Sequence, residues 1–172
     1  MSRKGKTPGI LFSRLGNLRK DEKETPIKVE KRFVPSLDRS VLSADYRITY
    51  LGEEKRRTNF GIEFNINLLA GDAPDRYYDI PGLHLEDRKL GSLGELRDIS
   101  EVRLVDEWNR MSVFLKVDRR SNLWRFPIET VSLSESGFEK IFQGSCLFFY
   151  WPLELEPKDD FEVSIELGIQ SM

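Results

Sequence analysis

The sequence predicts an all-β chain folded as a two-layer antiparallel β-sandwich. Three observations predict it. Apolar and polar residues alternate with period two through several runs, most regularly at Val41–Leu51, Asn59–Leu69 and Phe161–Ile169. Those runs are short and separated by clusters of Gly, Pro, Asp, Asn and Ser. No stretch of ten residues carries a convincing helical pattern; only Ser134–Phe142 shows a weak one. Many short strands at turn-punctuated spacing are the mark of a sandwich.

In chain order, Gly9–Arg14 gives a short first strand through Ile10 and Phe12, and the mixed-sign charges of Gly16–Thr25 read as a solvated loop. Ile27, Val29, Lys31 and Phe33 alternate with Lys28, Glu30 and Arg32 as far as Pro35. In Val41–Leu51 the residues Leu42, Ala44, Tyr46, Ile48 and Tyr50 share a face; Gly52–Thr58 then turns the chain. Asn59–Leu69 answers with Phe60, Ile62, Phe64, Ile66 and Leu68 pointing inward, so the two runs suggest an antiparallel hairpin. Ala70–Pro81 is a turn-rich loop, and Leu90–Leu96, with two glycines, is loop or weak strand. Val102–Leu104 and Met111–Val117 pair through a turn at Asp106–Arg110, and Asp118–Asn122 is the next turn. Cys146–Leu155 reads as a buried strand and Phe161–Ile169 as the last strand.

The stretch Leu123–Ser145 organises the rest. Trp124, Phe126, Ile128 and Thr130 fall on one face, with Arg125, Glu129 and Val131 on the other, and Trp124 is assigned to the core with Trp151. Pro127 has no N–H to donate, so this strand should lie at an edge or carry a bulge there. Ser132, Ser134, Ser136 and Gly137 mark a loop. Arg125, Glu129, Ser134 and Glu135 are expected to form one hydrogen-bonded strand-to-loop corner at an end of the sandwich, its backbone fixed by Pro127 and Gly137.

Composition bounds the rest. With 172 residues the chain has the length of one domain with a single core. Residues 1–8 read as a flexible basic terminus or an expression remnant, and 9–172 as the sandwich. Hydrophobic residues at 39% and charged residues at 33% place it among globular rather than disordered chains. A formal net charge of −2 lacks the basic excess of a nucleic-acid footprint. One cysteine, Cys146, leaves no internal disulfide and fits a reducing, cytoplasmic compartment. One histidine and one cysteine are too few for a Cys/His zinc site, and Asp72, Asp75 and Asp79 lack the calcium-loop pattern, so neither metal nor other cofactor is expected. No apolar run approaches the roughly 20 residues that span a bilayer, so no membrane partner is expected.

Several polar and aromatic residues remain as candidates. Glu63, Asn65 and Asn67 stand about 7 Å apart along one strand face, a row able to bond a polar protein loop, water or sugar hydroxyls. Tyr77 and Tyr78 beside Arg76 offer either a stacking platform or loop packing. His84 stands in a loop without a partner motif. Trp108 lies in a turn between charged residues and is the exposed tryptophan of the three.

Three runs, PIKVEKRF at Pro26–Phe33, FGIEFNINLLAGDAPDRYY at Phe60–Tyr78, and WRFPIETVS followed by SESGFEKIFQGS up to Ser145, resemble the C-terminal domain of family-57 glycoside hydrolases, the α-amylase and 4-α-glucanotransferase type. The resemblance covers roughly Gly9–Gln170, with one departure at Leu133, where that family places a polar residue. It implies a galactose-mutarotase-like sandwich and a non-catalytic module that buttresses a catalytic α/β barrel and contacts the glucan. Trp108, Tyr77 and Tyr78, as stacking rings, and Arg125, Glu129, Ser134, Glu135, Glu63 and Asn65, as polar groups, are then the candidates to meet glucan or the partner domain. The catalytic carboxylates of such enzymes lie in the barrel, so no catalytic residue is assigned here. Two alternatives are a stand-alone α-glucan-binding module and a sugar-ring enzyme of mutarotase type, for which His84 alone is available.

Overall fold

The computed structural model describes residues 8–20, 23–134 and 137–172. Nine strands run antiparallel: β1 (Ile10–Lys20), β2 (Lys23–Pro35), β3 (Val41–Tyr50), β4 (Arg56–Ile66), β5 (Arg76–Asp79), β6 (Gly94–Asp106), β7 (Met111–Ser134), β8 (Gly137–Leu155) and β9 (Asp160–Ser171). The described residues contain no helix, so none there is long and apolar enough to cross a membrane.

The larger layer has the order β1-β2-β3-β9-β7-β6-β5, and β4 and β8 build onto β7 as the second layer. Strand β7 belongs to both. Its first part, Met111–Val117, pairs with β9, while Asn122–Ser134 pairs with β8. The expected turn at Asp118–Asn122 is therefore a bend within one strand. β6 follows the bend through register shifts between Leu96, Ile99 and Glu101, with Asp98 at φ 58° and Arg120 donating to the Asp98 carbonyl at 2.6 Å. Bulges of this kind let a sheet turn a corner and close on itself. The layers meet through aromatic rings: Phe60 of β4 lies 5.9 Å from Tyr46 of β3 and 5.8 Å from Phe161 of β9.

Three further local expectations change. The β3–β4 hairpin does not form; β3 pairs with β2 and β9, β4 pairs with β8, and the chain between them crosses the sandwich. Each apolar face is buried just as well by facing the other across the core, which alternation alone does not distinguish from edge pairing. In the charged run expected as a loop, Gly16–Lys20 and Lys23–Thr25 are strand residues of the β1–β2 hairpin, whose pairs extend from Ile10↔Phe33 to Lys20↔Lys23. The glycine-bearing run Leu90–Leu96, read as loop or weak strand, is loop that passes into strand at Gly94. Ser132–Ser134 and Gly137–Phe142, expected as loop or weak helix, are strand residues of the outer β7–β8 hairpin, paired as far as Ser134↔Gly137, with Glu135 and Ser136 outside the described residues.

Candidate functional site

The face of β7 is opposite to expectation. Leu123 and Arg125 point inward and are buried, while Trp124 is 46% exposed on the outer surface. Arg125 is only 5% exposed because the segment 85–92 closes over it. Its guanidinium donates to the Ser92 hydroxyl and to the Asp87 carbonyl at 2.9 Å, and lies 5.0 Å from the centre of the Tyr78 ring. Tyr78 and Ser145 hydroxyls both donate to the Leu90 carbonyl, at 3.3 and 3.0 Å. A Cβ on Gly94 would meet the guanidinium at 3.0 Å, so glycine there lets Arg125 lie close against the neighbouring strand. Burial lowers the Arg125 pKa, against the raising influence of Tyr78 and Asp87, and Nε finds no partner among the described residues. Arg125 thus fastens a loop to the sheet. At 5% exposure its guanidinium is turned into the sheet and away from solvent.

Of the expected corner, the described residues Arg125, Glu129 and Ser134 do not come together. Nine residues of strand at about 3.3 Å each put Arg125 and Ser134 roughly 30 Å apart. Glu129 pairs instead with Lys140 at 3.3 Å, Ser134 ends β7, and Glu135 lies outside the described residues. Pro127 behaves as its chemistry requires. Paired to Ser145, it lies beyond the last β6 partner at Arg125, and a register shift follows at once between Ile128 and Glu129. That shift inserts Gln143, whose side chain donates to the Thr130 hydroxyl at 3.2 Å.

Past the bulge, the β7–β8 hairpin extends as an arm. Glu129, Val131 and Leu133 share one face with their partners Phe142, Lys140 and Phe138. This face continues the core side of Leu123 and Arg125. Phe142 still packs against the core, whereas Leu133 and Phe138 are 76% and 81% exposed. Leu133, the departure from the family pattern, therefore sits in an apolar patch at the arm's end. Gly137 holds φ 120° at the turn.

The outer face of the smaller layer holds a second constellation. One row crosses four strands as Glu63–Phe148–Trp124–Glu95, roughly 14 Å at about 4.8 Å per strand. Trp124 lies 5.7 Å from Phe148 and 5.0 Å from Tyr150, forming one three-ring cluster. The Phe148 ring lies over Gly61, where a Cβ would approach it to 2.2 Å. The carboxylates at both ends are oriented by neighbours: Asn65 donates to Glu63 at 2.8 Å, and the Tyr150 hydroxyl donates to Glu95 at 2.9 Å. Beside the row on the same face, between Asn65 and Phe126, Cys146 is buried, and burial first, then the Glu63 charge, push its thiol up to about 11. Phe148 and Tyr150 were hidden within a run read as wholly buried. A glycine inside the facing strand was the signal that something lies across it.

The other candidates scatter. Tyr77 donates to Glu107 at 2.8 Å and carries the Arg88 guanidinium 3.8 Å above its ring, while Tyr78 is fully buried, so the two make no common platform. Trp108 is 77% exposed, in a turn where the Asn109 backbone N–H and side-chain amide donate to Asp106 at 2.9 and 2.8 Å. Trp151 is in the core, its indole N–H donating to the Arg120 carbonyl at 3.0 Å. His84 is exposed in its loop. Among the described residues no group of three His, Cys, Asp or Glu side chains could hold a metal ion.

Residues 2–165 match the family described as alpha-amylase/4-alpha-glucanotransferase, C-terminal. The chain belongs to that family. Alpha-amylase 1 of Dictyoglomus thermophilum is 32% identical over 147 residues, covering 81% of this chain and 20% of the relative. In structure, this alpha-amylase/4-alpha-glucanotransferase C-terminal domain superposes on the 4-alpha-glucanotransferase of Thermococcus litoralis with a TM-score of 0.66 at 24% identity, over 93% of this chain and 21% of that one. A putative aldose 1-epimerase from Escherichia coli shares the fold, with a TM-score of 0.63 at 9% identity over 92% of this chain and 69% of that one. The domain thus has a galactose-mutarotase-like sandwich and spans about a fifth of the length of the curated relatives it matches.

Proposed function

We propose that this C-terminal module serves an α-glucan-active enzyme of amylase or 4-α-glucanotransferase type by docking on its catalytic domain through the β7–β8 arm. The observation that carries this is the inner face of the arm. It continues the core side of the sheet past the Arg125 latch, leaving Val131, Leu133 and Phe138 exposed in one apolar patch. Exposed patches of this kind mark interaction surfaces. The relatives are about five times longer than this chain, which supports a partner domain as the occupant. The module itself supplies no hydrolysis or transfer in this reading, and its lone buried cysteine supports a cytoplasmic setting.

The test mixes the chain with the separately expressed catalytic portion of its parent enzyme. Leu133→Ser with Phe138→Ser should weaken association by at least about tenfold, since each anchor loses its apolar burial on docking, while the module's own melting temperature stays unchanged. Association unaffected by the pair would overturn the arm as the docking element.

A further inference from the structure

We infer that the outer face of the smaller layer is a surface binding site for an α-1,4-linked glucan segment, with Trp124, Phe148 and Tyr150 as its stacking floor and Glu63 and Glu95 as its two hydroxyl-accepting ends. The choice of α-linked glucan rests on the functional reading above; the site rests on its own geometry. A sugar is amphipathic, with apolar C–H faces and a rim of hydroxyl donors. The row offers both complements in the right order, apolar rings in the middle and acceptor-only carboxylates at each end. Each carboxylate is held by a neighbour through one oxygen, Asn65 on Glu63 and Tyr150 on Glu95, so it is oriented before any ligand arrives. The length of the row, roughly 14 Å, suits a short oligosaccharide rather than one ring.

The rings also favour a curved chain. Trp124 and Phe148 are inclined by 29°, but Trp124 and Tyr150 by 53°, so the floor is not flat. A bent α-linked segment follows such a surface better than the extended ribbon of a β-linked glucan. A docked protein domain fits less well. It would strip water from Glu63, Glu95 and the exposed Arg97, whose nitrogen is 3.8 Å from Glu95, and burying charges costs more than the three rings return unless each is paired. A glucan donates hydroxyl hydrogens to the carboxylates and leaves Arg97 in water. The floor is rigid, because Phe148 lies against the Gly61 backbone.

The experiment titrates the 172-residue chain with maltoheptaose, following tryptophan fluorescence and heat, with affinity electrophoresis through glycogen as a second readout. Millimolar binding is expected, of the order of −4 kcal/mol for a shallow open site. Trp124→Ala should weaken it by about tenfold through lost stacking, whereas Trp108→Ala leaves it intact. Because Trp124→Ala also removes ring packing on the sheet, Glu63→Gln with Glu95→Gln provides an isosteric pair on exposed side chains, expected to weaken binding with no change in melting temperature. Absence of saturable binding at about 10 mM maltoheptaose, equal affinity for cellohexaose, or binding that follows Trp108 instead of Trp124 would each overturn the proposal. So would protection of Trp124 from a soluble quencher by the catalytic portion in the absence of sugar. These outcomes are separable from the docking reading, which is scored on Leu133 and Phe138 and involves no sugar.

Discussion

Arg125 and Glu129 stand four residues apart on the same strand and illustrate how little residue type alone says about energetic weight. Arg125 is buried beneath segment 85–92 and holds it by two hydrogen bonds, so Arg125→Ala leaves the Ser92 hydroxyl and the Asp87 carbonyl short of a donor. A loss of about 1–3 kcal/mol in urea unfolding is expected. Arg125→Met should cost less than Arg125→Ala, since it fills the space without a buried charge for which the described residues provide no salt bridge. Glu129 pairs with Lys140 across a largely solvated hairpin, and Glu129→Ala should change stability by under about 0.5 kcal/mol. Cys146 yields a pH prediction. Its pKa rises from the ordinary 9.0 to about 11 in the fold, so its contribution to stability is complete below pH 9 and is lost as pH climbs toward 11. Denaturation midpoints measured across that window should fall, Cys146→Ala should flatten the decline, and the native thiol should resist a disulfide reagent at neutral pH until the chain is unfolded.

At the level of elements, the β7–β8 arm is separable from the sandwich it extends. Beyond the bulge at Ile128 and Glu129 the hairpin has no third strand among the described residues, and its large apolar side chains other than Phe142 lie mostly in water. It therefore contributes little of the burial that holds the domain together. Replacing residues 131–140 by a two-residue turn should leave the melting temperature within a few degrees, because the lost strand pairing is local and solvated. A collapse of the fold on shortening would mean that the arm nucleates the pairing of β7 with β8. Phe142 marks the boundary: it packs on the core and should be left in place.

On the scale of the whole molecule, the two layers are joined by a shared pair of bent strands and by aromatic contacts, and Trp151 connects both devices. Its ring lies 6.1 Å from Phe60 in its own layer and 6.0 Å from Phe161 in the opposite one, while its N–H reaches the carbonyls of Arg119 and Arg120 at the β7 bend. Trp151→Ala removes packing across the core together with a clamp on the bend. A cost of about 3–5 kcal/mol is expected, read as a lower midpoint in urea. Trp124→Ala, on the outer surface, should cost distinctly less, and equal costs would contradict the inward and outward assignment of the two tryptophans.

What the sequence by itself determined was the class of fold, most of its strands, the two-sided character of β3, β4 and β9, the turn at Asp106–Arg110, and the edge or bulge that Pro127 demands. These follow from period-two alternation and from backbone chemistry, which are local. Its three quoted runs also carried the family. Only the tertiary structure decided which face of β7 is the inside. Alternation defines two faces but not their ranking when one holds Trp124 and Phe126 and the other holds Leu123 and Arg125; a covering loop remote in sequence settled it, supplying Arg125 with acceptors from Asp87 and Ser92. The same holds for the partners of β3 and β4, and for the row that joins Glu63, Phe148, Trp124 and Glu95. Register between strands far apart in the chain is set by which apolar faces close on each other, and no window of consecutive residues contains that information.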